Sequence, residues 1–472
     1  MQLQAARYRG RITESSTASL TRSGLNATLP AKETILMKLG GQRDGFARAA
    51  RGGSRPKVAY VEAWDHCAPP DPGGSLGIWT WEVAKRLADC CDVLVCASRQ
   101  NHDAAAFEEC QSVHFVRFSR TTDAYLLKIA ERLTRLVGRT RGSRALHDEK
   151  GFASLFYCGV YAARAAWTLR LRSCAVIHIF NLSQYVPLMR RINRKARIVL
   201  HMACDWLVGL DREVIDSHLR AADAIVGCSE YITDPIRKRF PHYADRCRTI
   251  YNGVDISTFT PRSREERAER GEKIIFVSRI SPEKGLHVLL DAFERVLLRR
   301  PKATLDIVGP DYVIPLGAAN TVKGDPMVSG LTRFYQSSYP DDMRARLRGP
   351  LSKQVCFVGP LLHSQLIDRM RHAEVLVQPS VVETFGMPIV EAMATGLPVV
   401  GSLTGGIPEV IVDGQTGILV QRENPSALAD ALLRLLDNPA LAREMGRAGR
   451  RRAVEKFSWD RITEELKSCY FD

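Results

Sequence analysis

The sequence lacks the long apolar run that a membrane-spanning helix needs. Such a helix takes about 18 to 20 apolar residues. The nearest approach, residues 151–169, contains Arg164 and is rich in Gly, Ala and Tyr. We interpret this stretch as a buried helix that connects two strands. A secretory signal is also missing, because no apolar core of about 7 to 15 residues follows the basic N-terminus.

Cysteine motifs are a second absence. The 12 cysteines form no C-x-x-C pair and no zinc-finger spacing, which argues against a redox motif or a zinc finger. Cys96, Cys228 and Cys356 lie within apolar runs, where a cysteine is typical of a small core residue. We therefore predict reduced thiols in a cytosolic protein.

Acidic residues are too few to balance the basic ones, and the formal net charge is +15. This charge favours an anionic partner, whether nucleic acid, a lipid surface or a phosphorylated substrate. Ten basic residues fall within residues 1–55, which have no clean hydrophobic period and are predicted to be a disordered leader. An organelle-targeting sequence and a misassigned start codon are the alternatives.

A chain of 472 residues is too long for one core, because single cores stop growing at about 250 to 300 residues. From residue 56, short β-branched runs alternate with amphipathic stretches, and this rhythm restarts after the charged segment SREERAERGEK. The pattern predicts an α/β protein with two Rossmann-like doubly wound domains that face a cleft. We place these domains at residues 56–250 and 251–457, an insertion at about 311–353, and a last helix at 458–472.

The most informative segment is PSVVETFGMPIVEAMATGLPVVGS. Glu383 follows a predicted strand, Pro388 suits the first turn of a helix, Glu391 lies inside that helix and Gly396 ends it. Free backbone N–H groups at a helix N-terminus can hold phosphate or hydroxyl groups. Two carboxylates on such a helix can accept hydrogen bonds from separate hydroxyls of one long ligand.

This segment resembles the signature of glycosyltransferase family 4, also called glycosyl transferases group 1, over roughly residues 57–472. The resemblance implies the GT-B fold and a retaining transfer from a nucleotide sugar held in the C-terminal half. It implies that Glu383 contacts the donor sugar and Glu391 the ribose. The intervening donor-binding residues are Phe385, Gly386 and Met387.

Arg279 and Lys284 follow a predicted strand in VSRISPEKG, where two cations can neutralise a diphosphate. The resemblance implies that role for both. Gly73 and Gly74 lie between the first strand and helix, and the resemblance implies a flexible loop that reaches the donor phosphates. His201 ends a predicted strand at an edge that faces the cleft, and the resemblance implies that it contacts the transferred sugar.

Two further features are less specific. Gly405, Gly406 and Glu409 follow the strand PVVGS and form either a second phosphate-facing turn or an ordinary turn before a helix. The arginine-rich stretch from Thr121 to Arg144 has the period of a basic amphipathic helix. Such a helix docks on an anionic membrane or packs on the core with a solvated charged side.

We predict catalysis without a metal or other cofactor, because no two aspartates are separated by one residue, and Arg279 and Lys284 can stabilise the leaving group. The predicted enzyme is a hexosyltransferase that uses a UDP- or GDP-sugar and a glycan, lipid-linked or small-molecule acceptor. It would lie in the cytoplasm or peripherally on the inner face of the membrane. The alternative is a nucleotide-sugar-binding regulatory protein without turnover. No motif supports a nucleic-acid partner.

Overall fold

The computed structural model describes residues 55–62, 74–99, 105–119, 121–137, 158–262, 271–314 and 325–472, with side chains of 130–137 left out. The predicted leader lies outside these residues, apart from Arg55. Among the described residues, two mainly parallel sheets with flanking helices form the framework.

The N-terminal sheet has the strand order β3-β4-β2-β1-β5-β6-β7-β8. Its strands are β1 (Lys57–Val61), β2 (Asp92–Arg99), β3 (Phe107–Cys110), β4 (Val113–Ser119), β5 (Val176–Phe180), β6 (Arg197–Met202), β7 (Ala224–Gly227) and β8 (Cys247–Thr249). All described pairs are parallel except β3 with β4. Every residue of β5 and β7 is buried, because helices cover both faces of a parallel sheet.

The helices of this half follow the same rhythm. They are α1 (Ser75–Leu87), α2 (Thr121–Val137), α3 (Gly159–Arg172), α4 (Tyr185–Ile192), α5 (Arg212–Leu219) and α6 (Glu230–Arg239). The helix that we predict within residues 151–169 corresponds to α3, although residues 151–157 lie outside the described residues. Its inner face is buried, but Trp167 and Leu171 are exposed.

The C-terminal sheet has the order β11-β10-β9-β12-β13-β14. Its strands are β9 (Lys273–Val277), β10 (Thr304–Val308), β11 (Val355–Gly359), β12 (Val375–Gln378), β13 (Val399–Ser402) and β14 (Ile418–Val420), and all described pairs are parallel. Its helices are α7 (Leu286–Arg299), α8 (Pro326–Gly330), α9 (Tyr339–Ala345), α10 (Leu351–Gln354), α11 (His363–Arg371), α12 (Met387–Ala394), α13 (Ile407–Val410), α14 (Pro425–Asp437) and α15 (Pro439–Phe457).

The final helix, α16 (Trp459–Phe471), leaves the C-terminal half and packs on the N-terminal half. Ser458 caps it by accepting a hydrogen bond from the backbone N–H of Arg461 at 3.4 Å. The Trp459 ring lies edge-on to Trp79 of α1, and Asp460 accepts a hydrogen bond from Arg86 at 2.6 Å. This helix therefore joins the two halves.

The cysteine prediction is wrong at one position. Cys96 and Cys228 are buried, but Cys356 is exposed. The reason is its place on β11, which is an edge strand of the C-terminal sheet. An apolar run on an edge strand is not covered on all sides, so the run does not by itself predict burial.

Candidate active site

The loop after β9 brings two cations to the carboxyl edge of the C-terminal sheet. Arg279 lies before a short helical turn at Pro282–Lys284, and Lys284 is the last residue of that turn. Gly285 ends this turn with φ +72°, and a Cβ at that position would lie 1.9 Å from the carbonyl oxygen of Pro379. Only glycine allows so close an approach. The turn is thereby packed against the segment that leads to Glu383.

Glu283 holds this loop together, and our sequence prediction missed it. Its buried carboxylate accepts hydrogen bonds from Ser281 Oγ and from Arg279 Nη2, the latter at 3.0 Å. Its backbone carbonyl accepts from the N–H groups of Val381 and Val382 at 2.9 and 3.2 Å. No sequence signal marks this pair, because Arg279 lies before the helical turn and the four-residue spacing of helix neighbours does not apply there.

Lys284 and Glu383 form a mostly buried ion pair. Lys284 Nζ lies 2.8 Å from Glu383 Oε2, and the side chains are 13% and 11% exposed. Ser380 Oγ donates to the same carboxylate oxygen at 3.3 Å. A cation predicted to bind a diphosphate and a carboxylate predicted to bind a sugar are therefore neighbours, although 99 positions separate them in sequence.

The helix predicted after Glu383 is confirmed as α12, with Pro388 in its first turn. Gly386 precedes it with φ +97°, a backbone conformation that favours glycine. Phe385 packs its buried ring against Tyr251, with centroids 5.9 Å apart. Met387 is also buried. Because its ring is buried, Phe385 can contact a ligand only through its main chain.

Glu391 lies inside α12 and is buried. Its Oε1 is 3.1 Å from Nε2 of His363, the first residue of α11. This hydrogen bond with the Glu391 carboxylate raises the pKa of His363, against an opposing effect of burial. No pattern in the sequence singles out His363, because it lies 28 positions before its partner.

The glycine turn after β13 supports Glu383 and does not present a free loop. A Cβ on Gly405 would lie 1.7 Å from the carbonyl oxygen of Glu383. The N–H of Gly406 donates to that same oxygen at 3.0 Å. The structure therefore assigns these glycines to close packing. The turn leads into α13, and a contact of its backbone with phosphate stays a prediction.

Glu409 connects the two halves. Its carboxylate accepts hydrogen bonds from the backbone N–H groups of Glu230 and Tyr231 at 2.7 and 2.8 Å. These N–H groups belong to the first turn of α6, so Glu409 caps a helix of the other half. Nearby, Ser229 Oγ donates to the carbonyl oxygen of Thr384 at 2.7 Å. The segment that follows Glu383 is thus tied directly to the N-terminal half.

His201 lies at the predicted strand end, but its side chain is more buried than the sequence indicates. The sequence places it at a strand end that faces the cleft, whereas the structure buries its side chain completely. His201 is the penultimate residue of β6, and its ring lies edge-on to Trp79 with centroids 4.9 Å apart. Its Nδ1 is 3.0 Å from Nε2 of His178. The cause is the aromatic packing around the strand end, which the linear sequence does not show.

The start of α1 carries the predicted glycine loop. Gly74 precedes α1 in an extended conformation, and Gly73 lies outside the described residues. Just before this loop, Glu62 follows β1 and is buried, and burial raises its pKa to about 7. Our sequence prediction did not include this carboxyl group.

The predicted insertion contributes to the surroundings of the cations. The guanidinium carbon of Arg279 lies 5.8 Å from the ring centroid of Tyr312, a cation–π distance. Asp325 pairs with Arg422 at 2.6 Å. In addition, Val328 and Leu331 pack with Val381, two residues before Glu383. The described part of the insertion is therefore packed beside the candidate site.

The basic amphipathic stretch is only partly described. On α2, Tyr125 and Leu126 are exposed, and Asp123 is buried, accepting from the backbone N–H of Tyr161. The rest of the stretch is not described: the side chains of 130–137 and all of residues 138–144 lie outside the described part of the chain. Within the described ranges, no helix is long and apolar enough to cross a membrane, and no three His, Cys, Asp or Glu side chains come together as a metal-ligand group.

Two adjoining family models match this chain. The description "Glycosyltransferase Family 4" matches residues 72–258, and "Glycosyl transferases group 1" matches residues 259–452. Spore coat protein SA of Bacillus subtilis is 30% identical over 62% of this chain and 78% of its own length. The chain belongs to the family 4, or group 1, glycosyltransferases, and our family prediction is confirmed.

Other curated relatives match over a smaller part of this chain. A D-inositol 3-phosphate glycosyltransferase of Streptomyces avermitilis is 32% identical over 53% of this chain and 52% of its own length. A glycogen synthase of Mycobacterium tuberculosis is 29% identical over 56% of this chain and 59% of its own length. The chain thus spans a little over half the length of these relatives.

Solved structures confirm the GT-B fold of two Rossmann-like domains. HepE of Anabaena, in complex with UDP and glucose, has a TM-score of 0.62 at 18% identity and covers 88% of this chain and 98% of its own. Sucrose-phosphate synthase of Thermosynechococcus elongatus has a TM-score of 0.61 at 20% identity, with the same coverage. At this level of sequence identity, the likeness to these structures is evidence for the fold alone.

Proposed function

We propose that this protein is a retaining glycosyltransferase that moves a hexosyl group from a UDP- or GDP-sugar to a glycan, lipid-linked or small-molecule acceptor. The observation that carries the proposal is the contact between Lys284 and Glu383 at 2.8 Å. It places a cation suited to a diphosphate next to a carboxylate suited to sugar hydroxyls.

In this proposal, Arg279 and Lys284 stabilise the charge that develops on the departing diphosphate, without a metal or other cofactor. Glu383 orients the sugar, and Glu391 binds the ribose. Glu383 is not assigned a covalent role, because its carboxylate is engaged by Lys284 and Ser380. Retention of configuration is proposed from family membership.

The solved structure of HepE in complex with UDP-glucose supports a sugar-nucleotide donor, and the acceptor is left open by the curated relatives. Their names include an inositol phosphate glycosyltransferase and a glycogen synthase, which act on very different acceptors.

Peripheral contact with an anionic membrane on the cytoplasmic side stays a prediction. It is favoured by exposed Tyr125, Leu126, Trp167 and Leu171 in a strongly basic chain. Co-sedimentation with anionic but not neutral vesicles would test it.

The test is a panel of UDP- and GDP-sugars, in which nucleotide release by the full chain is measured in EDTA. We expect release from at least one donor and a loss of about 100-fold or more in Glu383→Ala, in line with removal of a group that stabilises the transition state. Glu444→Ala is the control, because Glu444 is an exposed glutamate of α15.

The outcomes separate the alternatives. Nucleotide binding without release from any donor would favour the regulatory protein over the enzyme. Release that requires added manganese would overturn metal independence. Equal rates for Glu383→Ala and Glu444→Ala would remove Glu383 from the active site.

A further inference from the structure

A chain of four buried polar side chains runs from the last helix to His201. The hydroxyl oxygens of Tyr60 on β1 and Tyr470 on α16 lie 3.2 Å apart. Tyr470 Oη lies 2.7 Å from His178 Nδ1, and His178 Nε2 lies 3.0 Å from His201 Nδ1. At the end of the chain, His201 Nε2 has no hydrogen-bond partner among the residues that the structure describes.

Burial keeps both imidazoles neutral. It lowers the pKa of His201 to about 3 and the pKa of His178 well below its ordinary value. A neutral imidazole carries hydrogen on one nitrogen and accepts on the other. Because a single hydrogen joins the two rings, the tautomers of His178 and His201 are linked, and the chain has two self-consistent directions.

In the first direction, Tyr60 donates to Tyr470, Tyr470 donates to His178, and His178 donates to His201 Nδ1. His201 then carries its hydrogen on Nε2. In the second direction every bond is reversed, and the hydroxyl hydrogen of Tyr60 is left without an acceptor among the described residues. A buried donor without an acceptor is costly.

The two directions therefore differ in where the unpaired donor lies. In the second it lies at Tyr60, which pairs in register with His178 in the middle of β5, whereas His201 pairs with Phe180, the last residue of β5. In the first it lies at His201, at the carboxyl end of β6, which is the edge where open parallel sheets bind ligands. His201 pairs in register with Val226 of β7. Shortly after β7, Ser229 contacts Thr384, the neighbour of Glu383.

We propose that Tyr470 and His178 are positioning residues that fix His201 as the Nε2–H tautomer, so that it donates a hydrogen bond to an oxygen of the bound sugar. The sugar contact rests on the proposed transferase function, whereas the tautomer does not. Since Tyr470 belongs to α16, the helix that crosses back from the C-terminal half also sets the hydrogen-bonding state of a side chain at the site.

The first measurement is the tautomer itself, from long-range proton–nitrogen NMR correlations of the imidazoles in the ligand-free full chain. We expect His201 to be protonated on Nε2 and bare on Nδ1. Tyr470→Phe removes the donor to His178 and should yield a mixture of tautomers. Tyr60→Phe leaves that donor in place and should keep the wild-type tautomer. A wild-type protein protonated on Nδ1 of His201 would overturn the proposal, whatever the variants do.

The second measurement is the rate of transfer. Tyr470→Phe should lower kcat about three- to tenfold, the size of one net hydrogen bond, and Tyr60→Phe should lower it less. Tyr243→Phe is the control, because the Tyr243 hydroxyl donates to the carbonyl oxygen of Asp216 in α5 at 3.4 Å, outside the chain of four. Equal losses in Tyr470→Phe and Tyr60→Phe would count against a directed chain. If no donor is turned over, the proposed function fails, while the NMR result still decides the tautomer.

Discussion

The two halves of this protein share a fold but build their candidate functional residues in opposite ways. The C-terminal half uses charges in pairs, such as Arg279 with Glu283 and Lys284 with Glu383. The N-terminal half uses neutral groups inside an aromatic cluster, where His201 is completely buried. Under the proposed function, the charged partners suit the anionic part of a nucleotide sugar and the uncharged donor suits a hydroxyl.

The largest expected effect breaks a charge pair of the C-terminal half. Lys284→Met leaves the Glu383 carboxylate mostly buried and without its cation. We expect a loss of about 2 to 4 kcal/mol in the free energy of unfolding and at least about tenfold weaker binding of a nucleoside diphosphate. Denaturant unfolding and calorimetry measure the two effects. Lys302→Met is the control, because Lys302 is exposed. Equal behaviour of the two variants would show that the pair contributes nothing.

An intermediate effect concerns the junction between the halves. Glu409→Ala removes the cap of α6, and Asp211→Ala removes the cap of α5, where Asp211 accepts from the N–H groups of Glu213 and Val214. Each should cost about 1 kcal/mol in the free energy of unfolding. Only Glu409 reaches across from the other half, so only Glu409→Ala should increase the radius of gyration in X-ray scattering. The same radius for both variants would contradict a role of Glu409 in holding the halves together.

The smallest effect depends on pH. The carboxylate of Glu391 raises the pKa of His363 in the folded protein, so this contact stabilises the fold at a pH below the ordinary histidine value and the stabilisation is lost as the pH rises through the raised pKa. The difference in unfolding free energy between wild type and His363→Gln should be about half a kcal/mol near pH 5.5 and close to zero near pH 9. In a Glu391→Gln background the difference should vanish. A difference that grows with pH would contradict this assignment.

The sequence alone was sufficient to predict the site residues that lie together in one continuous segment. Glu383, Pro388, Glu391 and Gly396 lie in one continuous strand–helix segment, and α12 begins and ends where their spacing predicts. Arg279 and Lys284 also lie in one short segment, but surface loops commonly carry cations for solubility, so the resemblance to the family was needed to single them out. Their roles toward a donor remain proposals.

The sequence was insufficient wherever a contact joins distant segments. His363, Glu283 and Tyr470 act on predicted residues, but no periodicity marks them. The close packing of Gly405 and Gly406 against the backbone of Glu383 was not predicted, and a phosphate contact of this turn stays a prediction. Such packing depends on how closely two backbone segments approach each other in the folded protein, and the composition of a loop does not show this.

By itself, then, the sequence determined the alternation of strands and helices, the two halves and the motif around Glu383, because these follow from hydrophobic period and local backbone preference. Only the tertiary structure decided that Lys284 meets Glu383, that Glu409 caps a helix of the other half, and that the last helix places Tyr470 on His178. The physical reason is that a hydrogen bond or ion pair depends on distances of about 3 Å between atoms, and in this protein the chain segments that supply those atoms are brought together by the folding of both sheets.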